Sequence, residues 1–327
     1  MLTIRVFCKH IAKVGRFVVA ALLIGSPLCF QAHAQVIGFS SPTELGNDNV
    51  SNQGSPTIVY CGGELAMYYV NHSNGTIYVD TNLYDSPQST GITVYTGGIT
   101  DVGASCSGSE TLLFYITPSQ TPMYAASSGP NSFNDKYVIS TGSSGFNSLF
   151  VPTPANAPSG PTYFVLVGNS NYVYSYSVIP GESPVYSQRV SPYATESRPA
   201  LTLYNGAPYL GFLKAAGAPS VAYVGDIFTL SFYEVSTIVW GNNNHSGGYA
   251  SIGLVQYGTY LYAFGQDYQS SQYLKYAYSS NGSSWSGPTT MSTQMRWTPS
   301  LTVDTASNQL YLVYQDDANT NISYQYN

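Results

Sequence analysis

One short apolar and aromatic segment recurs six times along the chain, and this repeat constrains the fold more than any other feature. The copies cover residues 65–69, 112–115, 163–166, 209–212, 260–264 and 310–314. Measured between the last residues of successive copies, the spacings are 46, 51, 46, 52 and 50 residues, with a mean of 49. A period of this length that contains only short β runs is typical of the blades of a β-propeller.

Three further β-type runs accompany the recurring segment in most repeats. A short first strand precedes it, as at residues 55–59, 198–202 and 298–302, and a tyrosine-bearing third strand follows it. A fourth, more polar strand, as at 137–140 or 228–232, is missing from the sixth repeat, where the sequence ends after the third strand. Residues 36–40 have no blade of their own, so we expect them to supply this outer strand and remove an exposed edge.

The sequence therefore predicts an all-β fold, a six-bladed β-propeller of four-stranded antiparallel blades. An N-terminal strand completes the last blade and closes the ring. Five or seven blades are the alternatives, because four prolines crowd the approach to the third copy, at positions 152, 154, 158 and 161.

The first 34 residues have the layout of a secretory signal. Four basic residues lie within the first 16 positions, the apolar run 17–24 follows, and Ala32-His33-Ala34 forms a small-residue cleavage site. The apolar run is shorter than the roughly 18 residues that a membrane span needs, and no later run is longer. We expect removal of residues 1–34, a single propeller domain over 35–327, no membrane span, and an extracellular or periplasmic location.

Charge is scarce in this chain. Only 8% of its residues are charged, against roughly 25% in typical soluble proteins, and the formal net charge is -6. This acidic balance disfavours a nucleic-acid partner. An apolar content of 43% excludes disorder through charge repulsion. No motif for a metal, a nucleotide or another cofactor is present, so we expect none.

Two cysteines follow the expected cleavage site. Cys61 lies eight residues before the end of its recurring segment and Cys106 nine residues before the end of the next. They therefore occupy matching positions in neighbouring blades. An even pair in an oxidising compartment is expected to form a disulfide, here between blades one and two.

Residues 279–285, Ser-Ser-Asn-Gly-Ser-Ser-Trp, lie between the third and fourth strands of repeat five. This segment resembles the Asp-box of the sialidase-like propellers, with Asn281 in place of the aspartate and one residue fewer. The resemblance implies a fold and not an activity, because the box is a structural turn in that superfamily. Arg198-Pro199-Ala200-Leu201 also resembles the Arg-Ile-Pro segment of sialidases, which clamp a substrate carboxylate with three arginines.

The loops that enter the first strands are expected to gather around the axis of a propeller. The scarce charges concentrate there, which makes these loops the candidate ligand site. The candidate ligand-binding residues are Asp101, Glu196, Arg198, Tyr249, Arg296 and Trp297. Two structural interpretations stay open: Glu196 and Arg198 could form an ion pair at the rim, and Trp297 could pack between blades.

Three functions fit this pattern. Aromatic platforms, many hydrogen-bonding side chains and few charges favour recognition of a glycan or polysaccharide in an axial pocket, as in lectins. A sialidase-like glycoside hydrolase would need two carboxyls about 5–9.5 Å apart, and the sequence pairs none, so catalytic residues stay unassigned. A protein-binding surface propeller is the third candidate, because fold does not determine function.

Overall fold

Six four-stranded antiparallel sheets make up the computed structural model of this protein. It describes residues 37–45, 55–71, 74–81, 83, 88–92, 98–141, 145–157, 159–195, 197–215, 220–236, 240, 251–266, 273–295, 298–316 and 321–327. In blades one to five, four consecutive strands lie side by side in chain order. The prediction of an all-β, six-bladed propeller is confirmed.

The 24 strands of the described residues divide as follows. Blade one contains β2 (Thr57–Cys61), β3 (Glu64–Val70), β4 (Ile77–Thr81) and β5 (Gln88–Ile92). Blade two contains β6 (Val102–Ser107), β7 (Glu110–Ile116), β8 (Pro122–Ser127) and β9 (Asp135–Val138). Blade three contains β10 (Thr153–Pro154), β11 (Thr162–Val167), β12 (Val173–Val178) and β13 (Val185–Arg189). Blade four contains β14 (Ala200–Tyr204), β15 (Ala207–Lys214), β16 (Val221–Asp226) and β17 (Ser231–Glu234). Blade five contains β18 (Gly253–Tyr257), β19 (Tyr260–Gln266), β20 (Tyr273–Ser279) and β21 (Ser286–Gln294). Blade six contains β22 (Ser300–Asp304), β23 (Gln309–Gln315), β24 (Ile322–Tyr326) and β1 (Thr43–Glu44).

The first strands of the six blades form a closed inner ring. Each contacts the first strand of the next blade, in the order β2, β6, β10, β14, β18, β22 and back to β2. The recurring aromatic segment of every repeat is the second strand, directly outside this ring. Its side chains are almost wholly buried because both faces of a blade pack against neighbouring blades.

Six hydrophobic clusters fill the six seams between blades. One joins blades one and two, the next joins two and three, and the series continues around the ring to blades six and one. Burial of apolar area contributes about 25 cal/mol per Å², so these seams are the main source of stability. The core is thus a ring of packed seams around the central axis.

Strand β1 supplies the outer strand of blade six. Thr43 and Glu44 pair antiparallel with Tyr324 and Ser323 of β24. Ser40 N–H also donates to the Tyr326 carbonyl, at 2.7 Å. The strand lies a few residues after the segment 36–40 that the sequence suggested.

The apolar residues of that earlier segment have a different role. Ile37 packs into the seam between blades five and six, and Phe39 makes an edge-on contact with Phe264, with 6.1 Å between ring centres. Because these side chains fill a seam, the strand pairing begins further along the chain. Val36 lies outside the described residues.

Cys61 and Cys106 form a disulfide, as predicted, with 5.2 Å between their Cα atoms. Both lie near the ends of first strands, β2 and β6. The Cys106 N–H also donates to Asn156 Oδ1 of blade three, at 3.1 Å. The disulfide and this hydrogen bond therefore link three consecutive blades at or next to their inner strands.

The segment that resembles an Asp-box is a tight turn between β20 and β21. Asn281 Oδ1 accepts the N–H groups of Ser283 and Ser284, at 3.0 and 2.9 Å, as an aspartate would. Gly282 has φ of +74°, and a Cβ there would lie 2.6 Å from the Tyr209 ring, so glycine is required. Trp285 packs against the seam between blades four and five, as a structural turn predicts.

Candidate functional site

An axial cavity of about 230 Å³ lies inside the ring of first strands. All six blades contribute to its lining. Hydroxyl-bearing and amide side chains recur among the lining residues, namely Ser55, Thr57, Thr153, Asn156, Thr202, Gln256, Thr298, Ser300, Thr302 and Thr305. Prolines and small apolar residues supply most of the remainder, so the cavity is polar but carries little charge.

Several of these hydroxyls also join neighbouring blades. Thr57 Oγ1 accepts the N–H of Ala104, at 3.3 Å, and Ser300 Oγ accepts the N–H of Ile58, at 3.1 Å. An oxygen that accepts a backbone N–H keeps its own O–H as a donor. The wall of the cavity thus carries hydroxyl groups whose orientation is set by backbone hydrogen bonds.

Asn156 and Thr302 connect blades three and six. The amide nitrogen of Asn156 donates to Thr302 Oγ1, at 3.4 Å, and the same oxygen accepts the N–H of Tyr60, at 3.3 Å. Blades three and six are opposite each other in a six-membered ring. This contact therefore crosses the axis of the ring.

Arg198 lines the cavity and forms an ion pair with Asp101. Arg198 Nη1 lies 3.1 Å from Asp101 Oδ2 and 3.3 Å from Oδ1. The two side chains are 12% and 11% exposed. They come from the starts of blades four and two, so the pair reaches across blade three.

Further hydrogen bonds fix the guanidinium of Arg198 and its backbone carbonyl. Nε donates to Thr153 Oγ1 of blade three, at 3.4 Å, and Nη2 donates to the Val102 carbonyl of blade two, at 3.3 Å. The Arg198 carbonyl accepts the hydroxyl of Ser251 in blade five. Arginine has five N–H groups, and these bonds to described residues use at most four of them.

Gly103 makes room for this arrangement. A Cβ at this position would lie 2.7 Å from the Pro152 carbonyl oxygen and 3.3 Å from Arg198 Nη2. Such contacts are too close for a side chain without movement of the backbone of blade three. A glycine here allows the guanidinium to pass between blades two and three.

The Asp101 carboxyl is held by three sets of donors. Besides Arg198, the N–H groups of Val102 and Ser55 donate to Oδ1, at 2.9 and 3.2 Å. Burial raises the pKa of this carboxyl, and the opposing effects of Arg198 and of the two N–H donors are smaller. Asp101 therefore binds its proton more tightly in the folded protein than in the unfolded chain.

The structure brings together two of the six candidate ligand-binding residues, Asp101 and Arg198. Glu196, Tyr249, Arg296 and Trp297 lie outside the described residues. Among the described residues Arg198 pairs with Asp101, and an ion pair of Arg198 with Glu196 stays a prediction. Sequence reasoning does not identify the hydroxyls of Thr57 and Ser300; the signal available for them is the proline that each follows at the start of a first strand.

The described ranges contain neither a cluster of metal ligands nor a membrane-spanning helix. No group of three or more His, Cys, Asp or Glu side chains there has the arrangement to hold a metal ion. No helix in the same ranges has the length and apolar character needed to cross a membrane.

Solved structures with the same fold include lectins and sialidases. The BP39L lectin from Burkholderia pseudomallei has a TM-score of 0.59 at 13% identity, over 81% of this chain and 77% of the lectin. The Aleuria aurantia lectin, solved with α-methyl-L-fucoside, has a TM-score of 0.56 at 12% identity, over 84% of this chain and 91% of the lectin. The Trypanosoma rangeli sialidase, solved with the inhibitor DANA, has a TM-score of 0.54 at 11% identity, over 83% of this chain. This chain spans about half the length of that sialidase, 54%.

No family model matches the chain, and no curated protein matches it significantly. At these low identities the structural likeness establishes the propeller fold alone.

Proposed function

We propose that this protein is a secreted glycan-binding propeller that recognises a sugar at its axial cavity, in the manner of a lectin. The observation that carries the proposal is the cavity itself, which is lined from six blades by oriented hydroxyls and by Arg198. Sugars are recognised by such fixed donors and acceptors together with apolar surface. Lectins that bind fucosides share the fold.

The size of the cavity favours a single sugar unit. Its volume of about 230 Å³ lies below the roughly 300–1,000 Å³ of sites for drug-sized ligands. In the proposed complex, the spare N–H of Arg198 and the hydroxyls of Thr57 and Ser300 bind the sugar hydroxyls. Trp297 and Tyr249 supply stacking surfaces at the entrance, and Glu196 and Arg296 supply charge there.

Recognition is favoured over hydrolysis by the state of Asp101. A glycosidase needs two carboxyls placed for catalysis. Among the described residues, none of those lining the cavity carries a carboxyl, and the adjacent Asp101 is engaged by Arg198 and two backbone N–H groups. A glycoside hydrolase and a protein-binding propeller are the outcomes that the experiment must distinguish.

A glycan array probed with protein lacking residues 1–34 tests the proposal. We expect binding of a defined set of glycans, loss of binding with Trp297→Ala, and retained binding with Glu196→Gln. Thr302→Val tests the cavity wall, because it removes a hydroxyl while keeping the shape of the side chain. Ser284→Ala, in the turn between β20 and β21, is the control because it removes a hydroxyl that does not line the cavity.

Two results would contradict the proposal. Turnover of a fluorogenic glycoside that is abolished by Glu196→Gln would make the protein a hydrolase. Absence of both glycan binding and turnover would favour a protein-binding role.

The proposal of secretion rests on residues 1–34 and is compatible with the Cys61–Cys106 disulfide. It is tested by intact mass measurement of the exported protein. We expect a chain that begins at Gln35, and a full-length chain inside the cell would contradict this.

A further inference from the structure

Two basic side chains lie on tyrosine rings beside the loop that connects blades three and four. The guanidinium carbon of Arg189 is 4.6 Å from the centre of the Tyr172 ring. Lys214 Nζ is 4.2 Å from the centre of the Tyr193 ring. Both distances fall within the roughly 6 Å range of cation–π attraction. Each ring therefore positions a cation without neutralising its charge.

The loop of residues 190–195 holds the two pairs on one surface. Thr195 N–H donates to the Asn171 carbonyl, at 2.7 Å, and Ala215 N–H donates to the Ala194 carbonyl, at 2.9 Å. At the start of the loop, Ser191 Oγ accepts the N–H of Val173, at 2.8 Å. These bonds tie the loop to the turn that carries Tyr172 and to the strand end that carries Lys214.

A third tyrosine extends this surface. The Tyr223 ring lies 4.9 Å from the Tyr193 ring at a tilt of 47°. Tyr193 is 38% exposed, and Arg189 is also exposed. We call the set Tyr172, Arg189, Tyr193, Lys214 and Tyr223 the seam patch.

Neither cation of the seam patch is paired with a carboxylate in the described part of the chain, where the one ion pair is that of Arg198 and Asp101. Glu234 lies opposite Tyr223 in the register of β16 and β17, yet it forms no ion pair with Lys214. The chain as a whole has a net charge of -6. An anion is therefore repelled by most of the molecule and attracted to a local patch of unpaired cations.

We propose that the seam patch binds an anionic polysaccharide, whose sulfate or carboxylate groups contact Arg189 and Lys214. A polymer is favoured over a small anion because the two cations belong to different blades, with a loop between them. Repeated charges along one chain bridge such a gap. The tyrosines favour a saccharide, because aromatic side chains pack against sugar rings and their hydroxyls donate hydrogen bonds. This site is separate from the axial cavity and does not rest on the function proposed there.

The test uses dextran sulfate as the polyanion and unmodified dextran as the uncharged polymer. We expect the wild-type protein to bind dextran sulfate and not dextran. The double variant Arg189→Gln with Lys214→Gln should bind about tenfold more weakly. The slope of log Kd against log salt should also fall by about one for each cation removed, as counterion release predicts.

A second double variant, Lys136→Gln with Lys275→Gln, is the matched control. It makes the same change in net charge at positions outside the seam patch, so it should keep the wild-type affinity. Tyr193→Leu keeps the charge and removes the ring under Lys214, and it should weaken binding. Arg189→Lys with Lys214→Arg keeps both charges and should retain binding, which separates loss of charge from loss of folding.

Three results would overturn the proposal. One is a lack of dextran sulfate binding at low salt. Another is an equal loss of affinity in the control double variant, which would make the effect one of net charge alone. The third is loss of dextran sulfate binding with Thr302→Val, which would place the polymer in the axial cavity.

Discussion

Arg198 of blade four and Asp101 of blade two form an ion pair, at 3.1 Å, across the intervening blade three. The inner strand of blade three is only two residues long, β10 (Thr153–Pro154), and Thr153 itself accepts a hydrogen bond from Arg198. A buried pair of this kind is costly to break, because either partner alone leaves an uncompensated charge. The pair therefore couples three blades at the axis.

Removal of either partner is expected to destabilise the ring. Asp101→Asn or Arg198→Gln should each lower the free energy of unfolding by about 3–5 kcal/mol, measured by urea denaturation. The double variant removes both charges and should lose less than the sum of the two single effects. Arg189→Gln, at an exposed arginine, is the control and should change stability little. Additive losses in the double variant would contradict the coupling.

Loss of the Cys61–Cys106 disulfide is expected to weaken the contact between blades one and two. The disulfide closes a loop with a sequence separation of 45 residues, so Cys61→Ser should lower the free energy of unfolding by about 2–4 kcal/mol. Denaturation with and without reductant measures this difference. The double variant Cys61→Ser with Cys106→Ser should have the same free energy of unfolding as Cys61→Ser, and reductant should not change it. A wild-type midpoint that reductant leaves unchanged would contradict the prediction.

Stability should fall in alkaline solution because buried tyrosines resist ionisation. Burial raises the pKa of Tyr176, Tyr262 and Tyr314 to about 12, from 10 for the free side chain. Above pH 10 the unfolded chain releases these protons and the folded protein keeps them, so the free energy of unfolding declines as pH rises from 10 to 12.

Denaturation midpoints over this range, with tyrosinate absorbance as a second probe, measure the effect. Tyr176→Phe should make the decline with pH shallower, and Tyr326→Phe, at an exposed ring, is the control. A midpoint that stays constant up to pH 12 would show that the buried tyrosines do not lower the stability in this range.

The turn at Asn281 provides a direct comparison with the Asp-box. Asn281→Ala removes the acceptor of two backbone N–H groups and should cost about 1 kcal/mol in the free energy of unfolding. Asn281→Asp keeps the acceptor and adds charge, so it should equal or exceed the wild-type stability. Ser284→Ala, whose backbone N–H is unchanged, should have little effect. Equal losses for Ala and Asp would show that the side-chain oxygen is not what holds the turn.

The repeat predicted the blades because each second strand is buried on both faces. Such a strand must be apolar or aromatic throughout, as at residues 65–69 in β3 or 310–314 in β23, so it stands out from the sequence. The outer strands are partly exposed, so the sequence predicts their bounds less accurately. Residues 228–230, which the sequence predicts to belong to a fourth strand, form the turn before β17 (Ser231–Glu234). Exposed Phe228 and Leu230 flank a polar residue there, and this alternation of apolar and polar residues is also typical of a strand.

The partner that Arg198 has among the described residues, Asp101, could not be found from sequence spacing. Asp101 is 97 residues away and two blades distant, and Glu196, two residues away, lies outside the described residues. Their contact depends on a shortened inner strand in blade three and on the space left by Gly103, which spacing alone does not reveal. The disulfide was predictable because both cysteines occupy equivalent positions of one repeat.

The pairing of β1 with β24 has a consequence for the order of the blades. Ser40 and Tyr326 are hydrogen-bonded neighbours, so a short peptide linker would span the gap between these two residues. With that linker in place, the backbone could be opened in the loop between any two blades, and every strand would keep its partners. Any blade of the ring can therefore come first in the sequence, and circular permutants of this propeller should share one architecture.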